Sequence, residues 1–201
     1  MRLRNNSDAL NQLKNSGFLV ENFPLLIDEN TVIEIGMGKG EMITQLAFNN
    51  PNIKYIGVER YPTAASRAIK LAKKYNLTNF KIIVCDVKDL LNLIKGKNKL
   101  IWLTFSDPWP KKKHFKRRLT YKSFLEIYKK ILNFDGVVKF KTDNDKLFEF
   151  TIESLNDFGA KIIKKTNDLH NSEYVENNIM TGYEKKWTLK NKNINFLEFK
   201  F

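Results

Sequence analysis

The most informative stretch of this sequence is Val32-Ile33-Glu34-Ile35-Gly36-Met37-Gly38-Lys39-Gly40-Glu41. Its first four residues predict a buried strand, the three alternate glycines a tight turn, and the residues after them an amphipathic helix. Such glycines let a ligand approach backbone amides at the start of a helix, although an ordinary tight turn is the alternative. The dinucleotide fingerprint requires glycine where Glu41 stands, and the G-x-x-x-x-G-K-[ST] phosphate loop is absent, so a nicotinamide oxidoreductase is disfavoured.

Strand and helix patterns alternate along the rest of the chain. Further strands are predicted at 54–58, 80–84, 100–105, 137–140, 160–165 and 183–187, and helices at 63–75, 90–94, 123–132 and 145–158. This alternation predicts an α/β fold with a doubly wound, mostly parallel seven-stranded sheet, whose ligands bind at the carboxyl ends of the strands. We expect a single domain over residues 1–201, with an N-terminal segment, 1–30, of undetermined structure.

Composition narrows the class of protein and its partners. Of 201 residues, 35 are Lys or Arg and 22 are Asp or Glu, so the net charge is 35 − 22 = +13 and favours a polyanionic partner. The apolar runs, such as 100–105, are far shorter than the ~20 residues that cross a bilayer, which predicts no membrane association. One cysteine, Cys85, and no secretory pattern indicate the reducing cytoplasm.

Acidic residues lie in or after three successive strands. Glu34 precedes the glycines, Glu59 ends the second strand, and Asp86 ends the third. Taken alone, each acid is an ordinary strand end or helix cap. Placed together, they suit a positively charged ligand with a ribose diol and an adenine amine, which describes S-adenosylmethionine.

A second cluster follows the fourth strand. Ser106-Asp107-Pro108-Trp109-Pro110 sets an acid, a stiff turn and an aromatic ring at the strand end. The chain continues as Lys111-Lys112-Lys113-His114-Phe115-Lys116-Arg117-Arg118, with six positive charges in eight residues. A solvated face is the ordinary interpretation of such a run, but its position in a strand-to-helix connection favours contact with RNA or DNA phosphates.

Two further segments carry polar groups of undecided role. Asp143 follows the fifth strand and is either a helix N-cap or a ligand contact. In Asn178 to Glu184, Thr181 and Glu184 match a capping box, but the residues that follow favour a strand, in which both side chains could hydrogen-bond a base edge. His114 and His170 have no metal-ligand spacing, so no metal site is predicted.

Together these motifs resemble the bacterial tRNA (guanine-N7-)-methyltransferase family over about residues 31–187. The aspartate-proline-tryptophan followed by a basic cluster is the most specific part of the resemblance. It implies a Rossmann-like class I methyltransferase fold, S-adenosyl-L-methionine as cofactor, and transfer of its methyl group to guanine N7 in the variable loop of tRNA. It implies a cytoplasmic enzyme with no membrane and no obligatory protein partner, either a monomer or a homodimer.

The resemblance also assigns roles to residues. Asp107 is implied as the catalytic residue. The residues implied to bind the cofactor are Glu34, Gly36, Gly38, Gly40, Glu59, Asp86 and Asp107. Those implied to bind the substrate are Lys111, Asp143, Thr181, Gly182, Tyr183 and Glu184, and those implied to bind RNA are Lys112, Lys113, His114, Lys116, Arg117 and Arg118. Arg2 and Arg4 are additional candidates for RNA contact.

The chemistry of guanine N7 defines what these residues must do. N7 has a lone pair and no proton, so methylation needs orientation rather than a general base. We expect Asp107, with Asp143 or Glu184, to accept hydrogen bonds from the guanine edge, and Trp109 either to stack on the base or to pack the loop. Two other classes stay open: an amino-methyltransferase acting on adenine N6 or a protein amide, and a non-enzymatic RNA-binding module.

Overall fold

A computed structural model of the chain describes residues 6–176 and 178–201, so Arg2 and Arg4 lie outside the described residues. Two compact units divide the chain, Met1–Asn98 and Lys99–Phe201. Within the described part, every helix is too short or too polar to cross a bilayer.

The first unit is built around three parallel strands. Its elements in chain order are α1 (Ala9–Lys14), β1 (Leu25–Ile27), β2 (Thr31–Ile35), α2 (Glu41–Asn49), β3 (Lys54–Glu59), α3 (Pro62–Ala65), α4 (Ala68–Lys74), β4 (Phe80–Val84), α5 (Leu90–Leu93) and β5 (Ile94–Gly96). The order β4-β3-β2 is parallel throughout, and β1 and β5 form a separate parallel pair. All five residues of β2 are buried, as expected for the centre of a parallel sheet.

One predicted helix of the first unit is divided. The sequence predicts a continuous helix over 63–75, but α3 ends at Ala65 and α4 begins at Ala68. At the junction the amides of Arg67 and Ile69 bond to carbonyls three residues back, at Ala64 and Ser66. This tighter bonding interrupts the α-helical ladder.

The second unit contains four strands and its own helices. Its elements are β6 (Asn98–Thr104), α6 (Lys122–Ile131), β7 (Leu132–Thr142), α7 (Asp145–Phe158), β8 (Lys161–Thr166), α8 (Gly182–Thr188) and β9 (Asn195–Lys200), with a 3₁₀ segment at Lys112–Arg117. The strand order is β6-β7-β9-β8, and β9 runs antiparallel to both neighbours. Three strands in one unit and four in the other match the predicted seven, and the α/β class is confirmed.

The seventh strand is not where the sequence predicts it. Residues 183–187 are helical, in α8, because Thr181 and Glu184 form a complete capping box at its start. The strand lies instead at β9, in the C-terminal segment. The prediction of a strand at 183–187 is therefore wrong, and the local capping signal was the correct one.

Candidate active site

The glycine-rich turn of the first unit depends on backbone conformations that glycine adopts without strain. Gly36, Gly38 and Gly40 have φ values of +73°, +57° and +70°. A Cβ added at Gly40 would lie 2.7 Å from the Cβ of Ala68, so close packing of α2 on α4 also requires glycine there. A Cβ added at Gly38 would meet no described atom within 4 Å, so open space lies beside this residue.

Glu59 joins the turn to the end of β3. Its carboxylate accepts hydrogen bonds from the Gly38 amide, at 3.0 Å, and from the Tyr61 amide, at 2.9 Å. Glu59 is 8% exposed, so this carboxylate lies largely within the protein. The carboxylate thus fixes the conformation of the turn.

Asp86 lies after the neighbouring strand, β4, and partly has the capping role that is its ordinary interpretation. Its carboxylate accepts from the Lys88 amide at 3.1 Å and lies 3.5 Å from the Arg60 guanidinium. Its side chain is 31% exposed, so it also faces solvent. The preceding residue, Cys85, is inert by contrast: burial, with Asp89 and Asp86 nearby, raises the pKa of its thiol to about 12.

The part of the site that lies in the first unit fits S-adenosylmethionine. The carboxyl ends of the parallel strands β2, β3 and β4 carry an open glycine turn and the carboxylates of Glu59 and Asp86. Glu34 is 1% exposed in β2, where it is paired with Gly57 of β3, so it belongs to the buried part of the site. A ligand with a positive charge and a ribose diol matches this set of acceptors.

In the second unit, Asp107 is presented by a strained loop. Phe105 and Trp109, on either side of it, have φ values of +48° and +42°, which are unfavourable for bulky side chains. Such conformations cost about 1–3 kcal/mol each and concentrate at functional sites. Asp107 itself is exposed, and the Ser106 hydroxyl is buried with no hydrogen-bond partner among the described residues.

The Arg118 side chain is hydrogen-bonded to the backbone of this loop. Its guanidinium donates to the carbonyls of Pro108, at 3.0 Å, and Trp109, at 3.3 Å, and lies 4.3 Å from the Phe150 ring centroid. Burial lowers the pKa of Arg118. Two of its donors are thus used on backbone carbonyls, and the phosphate-binding role predicted for Arg118 stays a prediction.

The other basic residues of the segment point outward. Lys111, Lys112, Lys113, Lys116 and Arg117 are all exposed. The Arg117 guanidinium lies 4.9 Å from the Trp109 ring centroid, and the His114 ring meets the same indole edge-on at 5.8 Å. The Trp109 ring thus contacts two residues of its own loop.

A buried ion pair lies beneath α8. Lys141 Nζ is 2.7 Å from Glu184 Oε2, and both side chains are 0% exposed. Lys141 also donates to Asn178 Oδ1 at 2.8 Å and to the Ile179 carbonyl at 2.9 Å. Sequence reasoning assigned no role to Lys141, since an isolated lysine in a strand gives no signal of its partner.

Glu184 is enclosed by this network. Besides Lys141, its carboxylate is reached by His170 Nε2 at 2.8 Å, Asn178 Nδ2 at 2.7 Å and the Thr181 amide at 3.4 Å. The direct base contact predicted for Glu184 does not fit a buried carboxylate with this many donors. Thr181 Oγ1 is likewise engaged, because it accepts from the Glu184 amide at 2.9 Å.

Tyr183 and Asp143 remain available at the surface. The Tyr183 hydroxyl donates to Asp143 Oδ2 at 3.3 Å, and its ring centroid is 5.2 Å from that of Phe105. Burial of the ring, with the Asp143 and Asp107 carboxylates nearby, raises the pKa of Tyr183 and keeps the phenol neutral. Asn144, not Asp143, caps α7, so the capping interpretation of Asp143 is wrong.

The sheet, the glycine turn and its carboxylates define the class: an S-adenosylmethionine-dependent methyltransferase of the Rossmann-like fold. A family model described as "Putative methyltransferase" matches residues 28–197. The fold is similar to an rRNA methylase from Streptococcus thermophilus (TM-score 0.57, 13% identity, 88% of this chain and 89% of that chain). It is also similar to PKMT2 from Rickettsia typhi in complex with AdoHcy (TM-score 0.57, 14% identity, 85% and 48%).

Curated relatives narrow the class further. A tRNA (guanine-N(7)-)-methyltransferase of Mesomycoplasma hyopneumoniae (strain J) is 60% identical over 98% of both chains. One of Mycoplasmopsis pulmonis is 53% identical over 100% of this chain and 99% of its own. The chain belongs to the tRNA (guanine-N(7)-)-methyltransferase family.

Proposed function

We propose that this protein methylates N7 of a guanosine in the variable loop of tRNA, with S-adenosylmethionine as methyl donor. The observation that carries the proposal is the exposed Asp107 carboxylate, held by a strained loop directly before an exposed basic segment. The names of the curated relatives support the same reaction. Such an enzyme works where tRNA is made, and we place it in the cytoplasm.

The first unit holds the cofactor. The Glu59 carboxylate accepts from the ribose hydroxyls, and the Asp86 carboxylate accepts from the adenine amine. Gly36, Gly38 and Gly40 hold the turn in its left-handed conformations, and the open space beside Gly38 leaves room for the ligand. When bound, S-adenosylmethionine supplies an electrophilic methyl group on a positively charged sulfur.

The second unit orients the guanine. Guanine N7 has a free lone pair, so the protein needs to hold the base in line with the methyl group rather than remove a proton. The ring becomes positively charged as N7 is methylated, and its N1–H and N2–H become better donors. Asp107 accepts from this edge and stabilises the developing charge, and Asp143 adds a second negative charge nearby.

Tyr183 provides an aromatic surface for the base. Its ring is 47% exposed, and its contacts with Phe105 and Asp143 fix its orientation. Single-stranded bases commonly stack on such rings. Glu184, Thr181 and Gly182 contribute indirectly, because the capping box and the Lys141 ion pair fix the start of α8.

The exposed basic segment binds tRNA phosphates. When exposed cations neutralise phosphates, the counterions condensed on the RNA are released, so the affinity for tRNA falls steeply as the salt concentration rises. The five exposed cations of this segment are Lys111, Lys112, Lys113, Lys116 and Arg117. These contacts bring no base specificity, which is left to the residues around Asp107.

The test is Asp107→Asn, with Asp157→Asn as a matched control, since Asp157 is an exposed acid of α7 outside the loop. Labelled S-adenosylmethionine and unmodified tRNA are incubated with each protein, and the product nucleosides are separated. We expect 7-methylguanosine from the wild type and the control, and at least a 100-fold slower rate from Asp107→Asn, in the range of one lost electrostatic contact in a transition state.

Each other result has a definite meaning. Methyl groups on adenine or on protein would replace the proposal with an amino-methyltransferase, and tRNA binding without any transfer would indicate an RNA-binding module. If Asp107→Asn transfers methyl groups to guanine at the wild-type rate, the reaction stands and the role of Asp107 is refuted.

A further inference from the structure

A second, unassigned cavity lies in the second unit. It has a volume of about 180 Å³, and three aromatic side chains line it: Trp102 of β6, Phe196 of β9, and Tyr174. The ring centroid of Phe196 lies 6.5 Å from that of Trp102 and 6.0 Å from that of Tyr174. Among the described lining residues there is none of those assigned above to the guanine or to tRNA phosphates. The cavity is therefore distinct from the Asp107 loop.

The polar groups of the cavity include both donors and acceptors. Glu198 Oε2 lies 3.3 Å from Lys164 Nζ and 3.7 Å from Lys139 Nζ, and its side chain is only 9% exposed. With Glu173 and Glu176, the lining carries two lysines and three glutamates, a formal charge of 2 − 3 = −1. This balance does not select a phosphate; it suits a neutral ligand with donors and acceptors on one edge.

Trp102 marks a missing hydrogen-bond acceptor. Trp102 is 7% exposed, and its indole Nε1 is buried with no hydrogen-bond partner in the part of the chain that the structure describes. A buried N–H without an acceptor is costly, and such groups are rare in folded proteins. An acceptor atom on a ligand in the cavity would satisfy it.

Size and access complete the description of the ligand. Pockets for drug-sized ligands measure roughly 300–1,000 Å³, so 180 Å³ suits one planar ring system rather than a whole nucleotide. Lys164 is 43% exposed and Lys139 is 26% exposed, so the side of the cavity that they form is open to solvent. A base on a flexible backbone can enter from that side, with its sugar and phosphate remaining outside.

We propose that this cavity binds an unstacked nucleobase of the tRNA other than the guanine that is methylated, against the wall that Trp102, Tyr174 and Phe196 form. The proposal rests on the proposed function, since it requires tRNA as the substrate. Aromatic walls with hydrogen-bonding groups at their edges are how proteins hold single-stranded bases. Such a subsite fixes the register of the tRNA on the enzyme.

The test uses Trp102→Phe in the full-length protein. Phenylalanine keeps an aromatic wall and removes only the Nε1–H donor and part of the ring. We expect the dissociation constant of unmodified tRNA, measured by fluorescence anisotropy, to rise about three- to tenfold, the loss of one hydrogen bond. Binding of a short RNA hairpin that carries only the variable-loop guanine should be unchanged. A purely structural Trp102 predicts no change for either RNA.

A second set of RNAs identifies the base and checks the coupling. Single abasic residues are placed in turn in the loops of the tRNA, away from the target guanine. One of these tRNAs should lose affinity for the wild type but not for Trp102→Phe, because the contact is already absent there. Lys164→Met, at an exposed position, serves as a second variant should Trp102→Phe fail to fold, and should show the same pattern.

The outcomes separate this proposal from the proposed function. Equal changes for tRNA and hairpin, unchanged affinities in both variants, or no abasic position that depends on Trp102 or Lys164 would each overturn the base subsite. Methyl transfer by the wild type is measured independently on the same tRNA. Absence of 7-methylguanosine would overturn the proposed function, whatever the binding result.

Discussion

The buried pair of Lys141 and Glu184 allows a sharp test of what fixes α8. Glu184→Gln keeps the shape of the side chain and much of its hydrogen bonding but removes its negative charge. The Lys141 ammonium, 2.7 Å away and 0% exposed, is then left buried without its counter-charge. Lys141→Met has the reverse effect and leaves a buried carboxylate, while the double variant removes both charges.

The expected magnitudes follow from burial. Removing one partner of a buried ion pair costs roughly 3–5 kcal/mol, because the remaining charge stays desolvated. Replacing both partners by groups of similar shape costs much less, so the two single losses should not add. We expect each single variant to lose roughly 3–5 kcal/mol of unfolding free energy, and the double variant to lose less than their sum by at least about 2 kcal/mol.

The pair also predicts a dependence on pH. Burial is the largest influence and raises the pKa of Glu184, but Lys141, His170 and Asn178 together outweigh it and lower that pKa below its ordinary value of 4.5. A carboxyl group whose pKa is lower in the folded state than in the unfolded state stabilises the protein at pH values above its unfolded-state pKa. This stabilisation is lost as the pH falls through its folded-state pKa. The stability difference between wild type and Glu184→Gln should therefore shrink below pH 4.5.

The measurement is urea unfolding at neutral pH, repeated at acid pH. Lys192→Met is the matched control, because Lys192 Nζ is also 2.7 Å from an acid, Asp145, but the two side chains are 34% and 61% exposed. Exposed pairs contribute about 0–1 kcal/mol, so this variant should lose little. If Glu184→Gln loses no more than the control, or if the single losses add in the double variant, burial of the pair does not stabilise α8.

Three further predictions concern the rest of the site. Gly38→Ala should cost about 1–2 kcal/mol in urea unfolding for its positive φ, and Gly40→Ala about 1–3 kcal/mol more, because its Cβ would collide with α4; equal losses would contradict the packing. Lys113→Gln should reduce by about 1 the slope of the logarithm of the tRNA binding constant against the logarithm of the salt concentration, without changing kcat. Arg118→Gln should instead lower kcat and leave this slope nearly unchanged. The Cys85 thiol should resist alkylation at pH 8 in the folded protein and react on unfolding; rapid labelling of the native state would contradict its raised pKa.

Elements whose sequence pattern is strong over a few neighbouring residues, such as β2, were predicted from the sequence. Residues 32–35 form a uniformly apolar run except for Glu34, followed by glycines, and they lie within β2 as predicted. The strand at 183–187 was wrong because the strand-like residues after Glu184 were preferred to another local signal, the capping box of Thr181 and Glu184. β9 was missed although five of its six residues are buried, since nothing local shows that its Glu198 meets Lys139 and Lys164 on neighbouring strands.

The candidate site was predictable in its residue types but not in their burial. The resemblance implied substrate binding for both Glu184 and Asp143, and residue type alone cannot separate them. The partner that separates them, Lys141, lies 43 positions before Glu184 and becomes its neighbour only through folding. The same holds for Arg118, whose carbonyl partners are nine and ten residues away across a loop with two strained residues.

Burial divides the acids of the second unit into two kinds with different chemistry. Glu184 is enclosed by donors, so its charge is already compensated and little of it acts on a substrate. Asp107 is exposed, and a carboxylate in that position can take up hydrogen bonds from a base without first losing protein partners of equal strength. The backbone strain at Phe105 and Trp109 must be offset by contacts such as those of Arg118, which ties the inward part of a basic segment to the presentation of the acid. We therefore expect a charge-neutralising change at Arg118 to alter the geometry of Asp107, and the same change at its exposed neighbours to alter only the proposed attraction of tRNA.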